Sequence, residues 1–196
     1  MASTKENRTI SDFKGALIGG GARPNLFEVE LTTFPAGIGW NASDFSYMCK
    51  AATLPASNVA AIDIPFRGRT FKVAGDRTID TWTVTIINDE SFELRTAFEA
   101  WTEVIAKLDN NLGATDPSAY MTNAKVFQLG RGSSKSSKDS TGTSNAVLKE
   151  YEFIDIFPTT VSEIALSYDT GDTIEEFDVE FQVQSLNLTG TGSPNG

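Results

Sequence analysis

The chain has 196 residues, 40% hydrophobic and 21% charged, which suits one domain with a buried core, and no apolar run approaches the roughly 18 residues of a membrane span. It contains no histidine and one cysteine, Cys49, so the commonest general base and metal ligand is missing and an internal disulfide is excluded. The net charge of −10 comes entirely from the last quarter, because residues 1–149 balance sixteen bases with sixteen acids while residues 150–196 hold ten acids and no base, a composition that argues against nucleic-acid binding there.

The N-terminal segment, residues 1–22, is predicted to be a flexible arm. Its first eight residues are polar and precede no long apolar stretch, so they do not predict a secretory signal. Glycines at 19–21 predict a hinge, and Ile10, Phe13 and Leu17 are spaced so that a short helix could dock through them.

Two segments of the N-terminal half are predicted to be β-strands. Apolar and polar residues alternate over Leu26–Thr32 and again over Ile79–Ile87, where Trp82, Val84 and Ile86 form the apolar side. A period of two is typical of strands with one face in a core and one face in water.

A helix is predicted over residues 91–108, between the early and late strands. Its apolar stripe recurs at spacings of three and four and consists of Leu94, Phe98, Trp101, Ile105 and Leu108. Asn88, Asp89 and Ser91 are candidate N-caps, and Asn111 with Gly113 is expected to end the helix. The stripe is interpreted as core packing against a sheet.

The C-terminal part combines a polar insertion, three predicted strands and a tail. Residues 130–145 are rich in Ser, Gly, Thr and Lys and are predicted to be flexible, as is the polar tail 189–196. Lys149–Ile154 and Val161–Tyr168 are short strand candidates. The clearest strand is 176–184, in which four apolar residues alternate with Glu176, Asp178, Glu180, Gln182 and Gln184.

These elements predict a mainly β fold with one α-helix, an antiparallel barrel or sandwich that occupies residues 23–188 as a single domain. Such a subunit has exposed sheet edges. A bare edge aggregates, so each edge must be covered, blunted or used to join neighbouring chains.

Short motifs do not predict a catalytic, metal or cofactor site. Asp169-Thr170-Gly171 spells the aspartic-protease triplet, but it occurs once and lies where a turn is expected. The acids of residues 169–176 lack the spacing of an EF-hand loop. The glycines at 19–21 are not followed by the Gly-Lys-Ser/Thr of a phosphate loop.

The segment Phe66–Arg77 concentrates four of the sixteen bases within twelve residues: Arg67, Arg69, Lys72 and Arg77. Basic residues mixed with aromatic ones can bind single-stranded nucleic acid. Two other interpretations remain open: a solvated hairpin, and an arm that meets the acidic surface of a sister subunit.

Several ordered segments resemble the tail tube protein of T4-like contractile-tailed bacteriophages. They are Ala22–Glu30, Cys49–Ala56, Val73–Glu90 and Phe157–Ile164, followed by the acidic final strand. The resemblance covers roughly residues 22–184. The chain departs from the family pattern in segment 130–145 and in its longer terminal extensions, which puts in doubt what lies on the outer tube surface.

The resemblance implies a barrel-like subunit that assembles into hexameric rings, with the rings stacked inside a contractile sheath. The same architecture is shared by pyocin and type VI secretion tubes. Expected partners are further copies of the chain, the sheath protein, and baseplate and tail terminator proteins. DNA is expected to pass through the lumen without specific binding, and the protein to reside in the virion after assembly in the host cytoplasm, without membrane insertion.

Two sets of residues are hypothesised to act in such a tube. Glu176, Asp178, Glu180, Gln182 and Gln184 are expected to face the lumen, where acids repel DNA phosphates while lysines would trap them. Arg67, Arg69, Lys72 and Arg77 are expected to contact neighbouring subunits or rings, and the N-terminal arm to contact a neighbouring ring.

Three alternatives remain. A tube-initiating or tube-terminating paralogue of the baseplate or neck would stop after one ring, whereas the main subunit elongates. A β-sandwich ligand-binding module would expose aromatic residues, yet only Trp40, beside Gly37 and Gly39, is free for that role. An enzyme comes last, without histidine or a paired carboxylate motif.

Overall fold

The structure is a computed structural model that describes residues 9–17, 21–31, 33–131, 145–169 and 171–189. Most of the predicted insertion 130–145, nearly all of the tail 189–196 and parts of the arm 1–22 lie outside these residues, as does Thr170. The chain forms two compact units. The larger comprises the described residues within 29–126 and 151–188, and the smaller comprises the described residues within 1–28, 127–150 and 189–196.

The described residues form nine β-strands, three α-helices and one 3-10 turn. The strands are β1 (Phe27–Leu31), β2 (Cys49–Ala52), β3 (Ser57–Phe66), β4 (Arg69–Ile79), β5 (Trp82–Ile87), β6 (Thr122–Leu129), β7 (Val147–Val161), β8 (Glu176–Gln182) and β9 (Ser185–Thr189). The helices are α1 (Ile10–Ala16), α2 (Ala42–Met48) and α3 (Glu93–Ile105), and the 3-10 turn is Pro117–Ala119.

Seven strands form one sheet in the order β1-β6-β7-β8-β5-β2, with β9 also paired to β7, while β3 and β4 form a separate two-stranded sheet. The pairs β2–β5, β5–β8 and β7–β8 are antiparallel. The predicted mainly β, antiparallel fold is therefore confirmed. Helix α1 coincides with the short helix considered for Ile10, Phe13 and Leu17, whereas α2 was not predicted.

Strand β8 alternates between a buried and an exposed side along its whole length. Phe177, Val179 and Phe181 are almost completely buried, and they lie opposite Ile86, Val84 and Trp82 of β5. Cross-strand pairs of this kind stabilise a sheet on its apolar face. The apolar face of β5 and β8 thus forms the floor of the core in the larger unit.

Helix α3 covers this floor through its aromatic stripe. The ring of Phe98 lies 6.3 Å from that of Phe177 and 6.0 Å from that of Phe181, both edge-to-face. The Trp101 ring lies 5.9 Å from Phe181, and its indole Nε1 donates a 2.7 Å hydrogen bond to the Tyr120 carbonyl. Edge-to-face contacts and a satisfied indole make this a well-determined core, as the stripe predicted.

The helix is shorter at both ends than predicted. It ends at Ile105, so Leu108 lies beyond it and is 91% exposed; its predicted place in the stripe is wrong. The residue that precedes the helix is Phe92, whose φ of 55° is left-handed and whose side chain caps nothing. Of the predicted caps, Ser91 Oγ accepts a long 3.4 Å hydrogen bond from the Glu93 amide.

Three strand predictions need correction. Residues 149–154 belong to β7, which continues without interruption to Val161. Residues 162–168, predicted as part of a strand, form an irregular segment, and the last bond of the β7–β8 pairing is the one that the Ser162 backbone N–H donates to the Asp178 carbonyl. Ile79–Ile87 is divided between the end of β4 and the whole of β5.

No described helix has the length and apolar character that crossing a bilayer requires.

Candidate assembly surfaces

The face of β8 that points away from α3 is polar and acidic. Glu176, Asp178, Glu180 and Gln182 alternate with the buried residues and are exposed or half-buried, and Gln184 is exposed just beyond the end of the strand. On the neighbouring strand β5, Thr83 and Thr85 lie opposite Glu180 and Asp178. The five residues predicted to face the lumen therefore share one side of the ribbon; this surface is called the acidic face below.

Two of these acids have partners that the linear sequence does not suggest. Lys50 of β2 forms a 2.6 Å ion pair with Glu176, although it lies 126 residues earlier in the chain. Thr85 Oγ1 donates a 2.6 Å hydrogen bond to Asp178 Oδ1. The acidic face therefore includes one lysine, and its net charge is smaller than the base-free C-terminal sequence indicates.

The hairpin β3–β4 is exposed along almost its entire length, on both faces. In the register, Ile62 lies opposite Val73 and Ile64 opposite Phe71. One face therefore gathers five large apolar side chains that are 39–66% exposed: Ile62, Ile64, Phe66, Phe71 and Val73. The other face is polar and includes a 2.8 Å ion pair between Lys72 and Asp63.

The hairpin is closed by the two-residue turn Arg67-Gly68. Both residues have positive φ, 45° and 80°, which is the conformation of the tight turns that match the twist of antiparallel strands. Arg67 adopts this left-handed conformation, and its guanidinium carbon lies 5.3 Å from the centre of the Phe66 ring. The turn thereby places a cation and an aromatic ring together at the tip.

A bulge near the base of the hairpin sets its geometry. Val59 pairs with Arg77 and Ala61 with Ala74, so two residues of β4, Gly75 and Asp76, lie opposite the single residue Ala60. A Cβ at Gly75 would lie 3.0 Å from Ile62 Cγ1 and 3.1 Å from the Ala60 carbonyl oxygen. A larger residue there would require the Ile62 side chain and the Ala60 carbonyl to move by a few tenths of an ångström, which favours glycine at the bulge.

The structure separates the four bases predicted to make contacts between subunits. Arg67 lies in the turn, and Arg69 lies on the apolar face beside Phe66 and Phe71. Lys72 lies on the opposite face with Asp63, and Arg77 donates to Ser57 Oγ below the bulge. Only Arg67 and Arg69 therefore lie together at the exposed tip.

Reasoning from the sequence missed the apolar face of the hairpin. A signal was present, because Ile62, Ile64 and Phe66 alternate with polar or small residues, as do Phe71 and Val73. The segment was instead interpreted through its four basic residues. In the structure, the exposed apolar area is the more informative feature, since contiguous exposed apolar patches are typical of interaction surfaces.

The hairpin and a second exposed loop leave the sheet at opposite ends of β5 and β8. The hairpin leads directly into Trp82, which pairs with Phe181 near the end of β8. The loop 162–175 leads into Glu176, which pairs with Ile87 at the far end of β5. Because the two strands are antiparallel and in register, the two projections are separated by the full length of the pair.

Trp40, the residue left open for ligand binding, is half-buried and stacked on Phe34, with ring centres 4.1 Å apart. It also lies 5.6 Å from Phe98, edge-to-face. It lines one wall of a groove of about 830 Å³ between α2 and α3. Its ring is thus a component of the aromatic core more than a free binding platform.

The one cysteine is inert in this fold. Cys49 is buried at the start of β2, and burial raises the pKa of its thiol to about 12. Within the part of the chain that the structure describes, no cluster of three or more acidic or cysteine side chains is arranged to hold a metal ion.

Comparisons of the sequence identify one family, and a comparison of structures identifies the same fold in a distant protein. The family model described as phage tail tube protein matches residues 22–188. The chain is 37% identical over 158 residues to the tail tube protein gp19 of Enterobacteria phage T4, and 36% identical to that of phage T6; each match covers 81% of this chain and 86% of the relative. Among solved structures, a chain of the anti-feeding prophage baseplate superposes with a TM-score of 0.61 at 10% identity, covering 88% of this chain and 97% of that one.

Proposed function

Because the chain belongs to the phage tail tube protein family, we propose that it is the repeating structural subunit of the tube in a contractile phage tail. The family match spans the strands of the main sheet and the hairpin alike. The subunit resides in the tail of the virion, catalyses nothing and needs no cofactor. Its role is structural, because each copy forms part of the wall of the tube.

In this proposal six subunits form a ring and the rings stack into the tube around which the sheath assembles. Baseplate proteins begin the tube and a terminator ends it. Residues 23–188 form the tube domain, and the arm 1–22, the insertion 130–145 and the tail 189–196 are accessory segments. The sheet edges that a lone subunit leaves open are used to join neighbours, which answers the aggregation hazard that bare edges present.

The observation that carries the proposal is the uncovered hairpin. A monomer gains little from five large apolar side chains that stay 39–66% exposed on one arm, since apolar area contributes to stability only when it is removed from water. A subunit that polymerises covers them in every copy but the last. The hairpin is therefore better explained by assembly than by the stability of the single chain.

Negative-stain microscopy of the purified protein tests this directly. The main tube subunit elongates into tubes many rings long, whereas a tube-initiating or tube-terminating paralogue stops after one ring. A protein that remains monomeric at every concentration and salt condition contradicts the proposal. Long tubes support it and separate the two kinds of paralogue.

The acidic face is proposed to line the lumen. Its acids repel DNA phosphates at short range, and a Debye length of about 8 Å at physiological salt confines that repulsion to the wall. A bore lined by lysines would instead release counterions and hold DNA at many sites. The Lys50–Glu176 ion pair makes the electrostatic potential at one end of the face less negative without changing its sign.

Replacing Asp178 and Glu180 by lysine tests this assignment. Tubes are expected to form normally, because both side chains project from the face opposite the core. Infectivity and DNA ejection in a complementation assay are expected to fall. The control is the isosteric pair Asp178→Asn and Glu180→Gln, which removes charge without adding a base; unchanged ejection in the lysine variant contradicts the assignment.

The four bases of the hairpin are proposed to contribute to contacts between subunits or rings, with unequal weight. Lys72 and Arg77 are already engaged within the chain, by Asp63 and Ser57. Arg67 and Arg69 lie at the tip beside the exposed aromatic rings. Arg69→Glu is therefore expected to weaken polymerisation without unfolding the subunit, and tubes of unchanged length and yield contradict this role.

A further inference from the structure

We propose that the tip of the hairpin in one subunit docks on the acidic loop of the next subunit along the tube, where the acidic loop is residues 162–175, described at 162–169 and 171–175. The inference rests on the proposed function, since it names the surface that receives the hairpin. It also fixes the direction of the contact as head to tail.

The first support is the placement of the two projections. The hairpin and the acidic loop leave the β5–β8 pair at opposite ends, as its register requires. When identical subunits stack along that direction, one end of each copy meets the other end of the next. A ten-residue strand such as β3 spans about 30 Å, so the hairpin is long enough to cross the boundary between copies.

The second support is charge. The acidic loop contains Glu163, Asp169, Asp172 and Glu175 and no base. Asp89, Glu90 and Glu93 lie at the same end, where β5 leads into α3. Two bases near this end, Lys50 and Arg95, are each paired with an acid, Glu176 and Glu99 respectively. An acidic end therefore faces a tip that presents Arg67 and Arg69, and such complementarity selects the partner and fixes its register.

The third support is that both surfaces expose apolar side chains among their charges. Tyr168 of the acidic loop is fully exposed, Leu166 is 84% exposed and Ile174 71% exposed. On the hairpin, Phe66 and Phe71 are each 66% exposed. A contact between the two buries both patches at once, and aromatic and arginine side chains are the residues that dominate protein interfaces.

Both ends of the acidic loop are anchored to α3 and to the end of β5. Arg95 Nη1 donates a 2.7 Å hydrogen bond to the Ser162 carbonyl, and the same guanidinium lies 5.2 Å from the Phe177 ring. The Asn88 amide donates a 2.9 Å hydrogen bond to the Glu175 carbonyl. The acidic loop and the tip are different surfaces, so the contact is heterologous and propagates instead of closing as a dimer.

A charge-swap experiment tests the pairing. One variant combines Arg67→Glu with Arg69→Glu, a second combines Asp169→Arg with Asp172→Arg, and a third contains all four changes. Each of the first two is expected to lower the yield of sedimentable tubes at least about tenfold, because a modest loss per ion pair recurs at every subunit of a ring. The third is expected to recover to within about twofold of the wild type, as coupled sites do.

Arg23→Glu combined with Lys107→Glu is the matched control, since it makes the same change of charge as the first variant at two exposed positions outside both surfaces. It is expected to assemble like the wild type. Recovery in the four-change variant supports the pairing. Single-surface variants that assemble normally, or a four-change variant as defective as its parents, overturn it. If the wild type itself forms no tubes, the proposed function fails, which is a different result.

Cross-linking provides a readout that does not depend on yield. Arg69→Cys and Asp172→Cys are placed in one chain and treated with a bismaleimide; Cys49 is buried and should not react. Because the contact is head to tail, the double variant is expected to give an open-ended ladder of covalent multimers. Each single variant is expected to give none. A double variant that yields no multimers in intact tubes overturns the proposal.

Discussion

Strand β8 and the hairpin β3–β4 follow the same alternating pattern of apolar and polar residues, yet their apolar faces have opposite fates. The apolar residues of β8 are sealed beneath the aromatic residues of α3, whereas those of the hairpin lie in water. Alternation predicts that a strand has an apolar face. It does not predict whether that face is covered by the same chain or by a neighbouring copy, and in a subunit that polymerises this differs from strand to strand.

The largest loss of stability is expected from truncating an aromatic residue on the buried face of β8. Phe181→Ala removes a fully buried ring that lies 5.1 Å from Trp82 and 5.9 Å from Trp101. The free energy of unfolding of the unassembled subunit is expected to fall by about 3–5 kcal/mol, since the lost contacts leave a cavity. Urea denaturation followed by tryptophan fluorescence measures it; a loss below about 1 kcal/mol would show that the site collapses around the change.

The matched change in the hairpin is Phe71→Ala. The same ring is deleted from an exposed position, so the free energy of unfolding of the unassembled subunit is expected to change by about 0.5 kcal/mol or less. Tube formation is expected to fall sharply, because the ring is buried only in the assembly. Sedimentation across a protein concentration series checks this. A destabilised subunit with normal tubes would mean that the hairpin packs within its own chain.

The ionisation and reactivity of the Cys49 thiol depend on whether the start of β2 remains buried. Since burial raises the pKa of its thiol from 9.0 to about 12, the folded chain keeps the proton over a range in which the unfolded chain loses it. The free energy of unfolding is unaffected by this group below the unfolded pKa and falls as pH rises from there towards the folded pKa.

The direct measurement for Cys49 is alkylation by iodoacetamide at about pH 9, where an unperturbed thiol is half ionised. The native protein is expected to react far more slowly than the same protein in urea. Equal rates in the two conditions would mean that the start of β2 opens readily.

The smallest effect is expected at the ion pair on the acidic face. Lys50 and Glu176 are 54% and 33% exposed, so water screens most of their attraction. Lys50→Met is expected to change the free energy of unfolding by about 0.5 kcal/mol or less. Because the change makes the acidic face more negative without affecting the core, a loss comparable to that of Phe181→Ala would assign the pair a structural role.

The parts of the fold that could be predicted are those in which one strand or helix contains its own signal. Strand β8 was predicted over 176–184 and runs over 176–182. It could be predicted because its apolar face is buried by the chain itself, so that the alternation of apolar and polar residues corresponds to buried and exposed sides. The aromatic stripe of α3 was predicted for the same reason. Helix α2 was not predicted, because its seven residues are too few for a 3.6-residue period to be distinguished from chance. Helix α1 is equally short, and only the spacing of three apolar residues indicated it.

The errors arose where a long-range contact decides the structure. Residues 161–168 alternate weakly, but no described strand pairs with Leu166 or Tyr168, and both point into water. The lysine beside Glu176 comes from β2 and could not be inferred from the composition of the last quarter. The acidic face was predictable because side-chain parity follows from the strand alone; its role in a lumen stays a prediction.

The placement of an arginine-tipped projection and an acid-rich loop at the two ends of one strand pair has a consequence for growth. A filament made of such units has a polarity, as a microtubule does, and its two termini offer opposite electrostatic signatures. A nucleating factor and a stopping factor can therefore recognise the correct terminus by charge alone, and a subunit that arrives upside down meets repulsion at both.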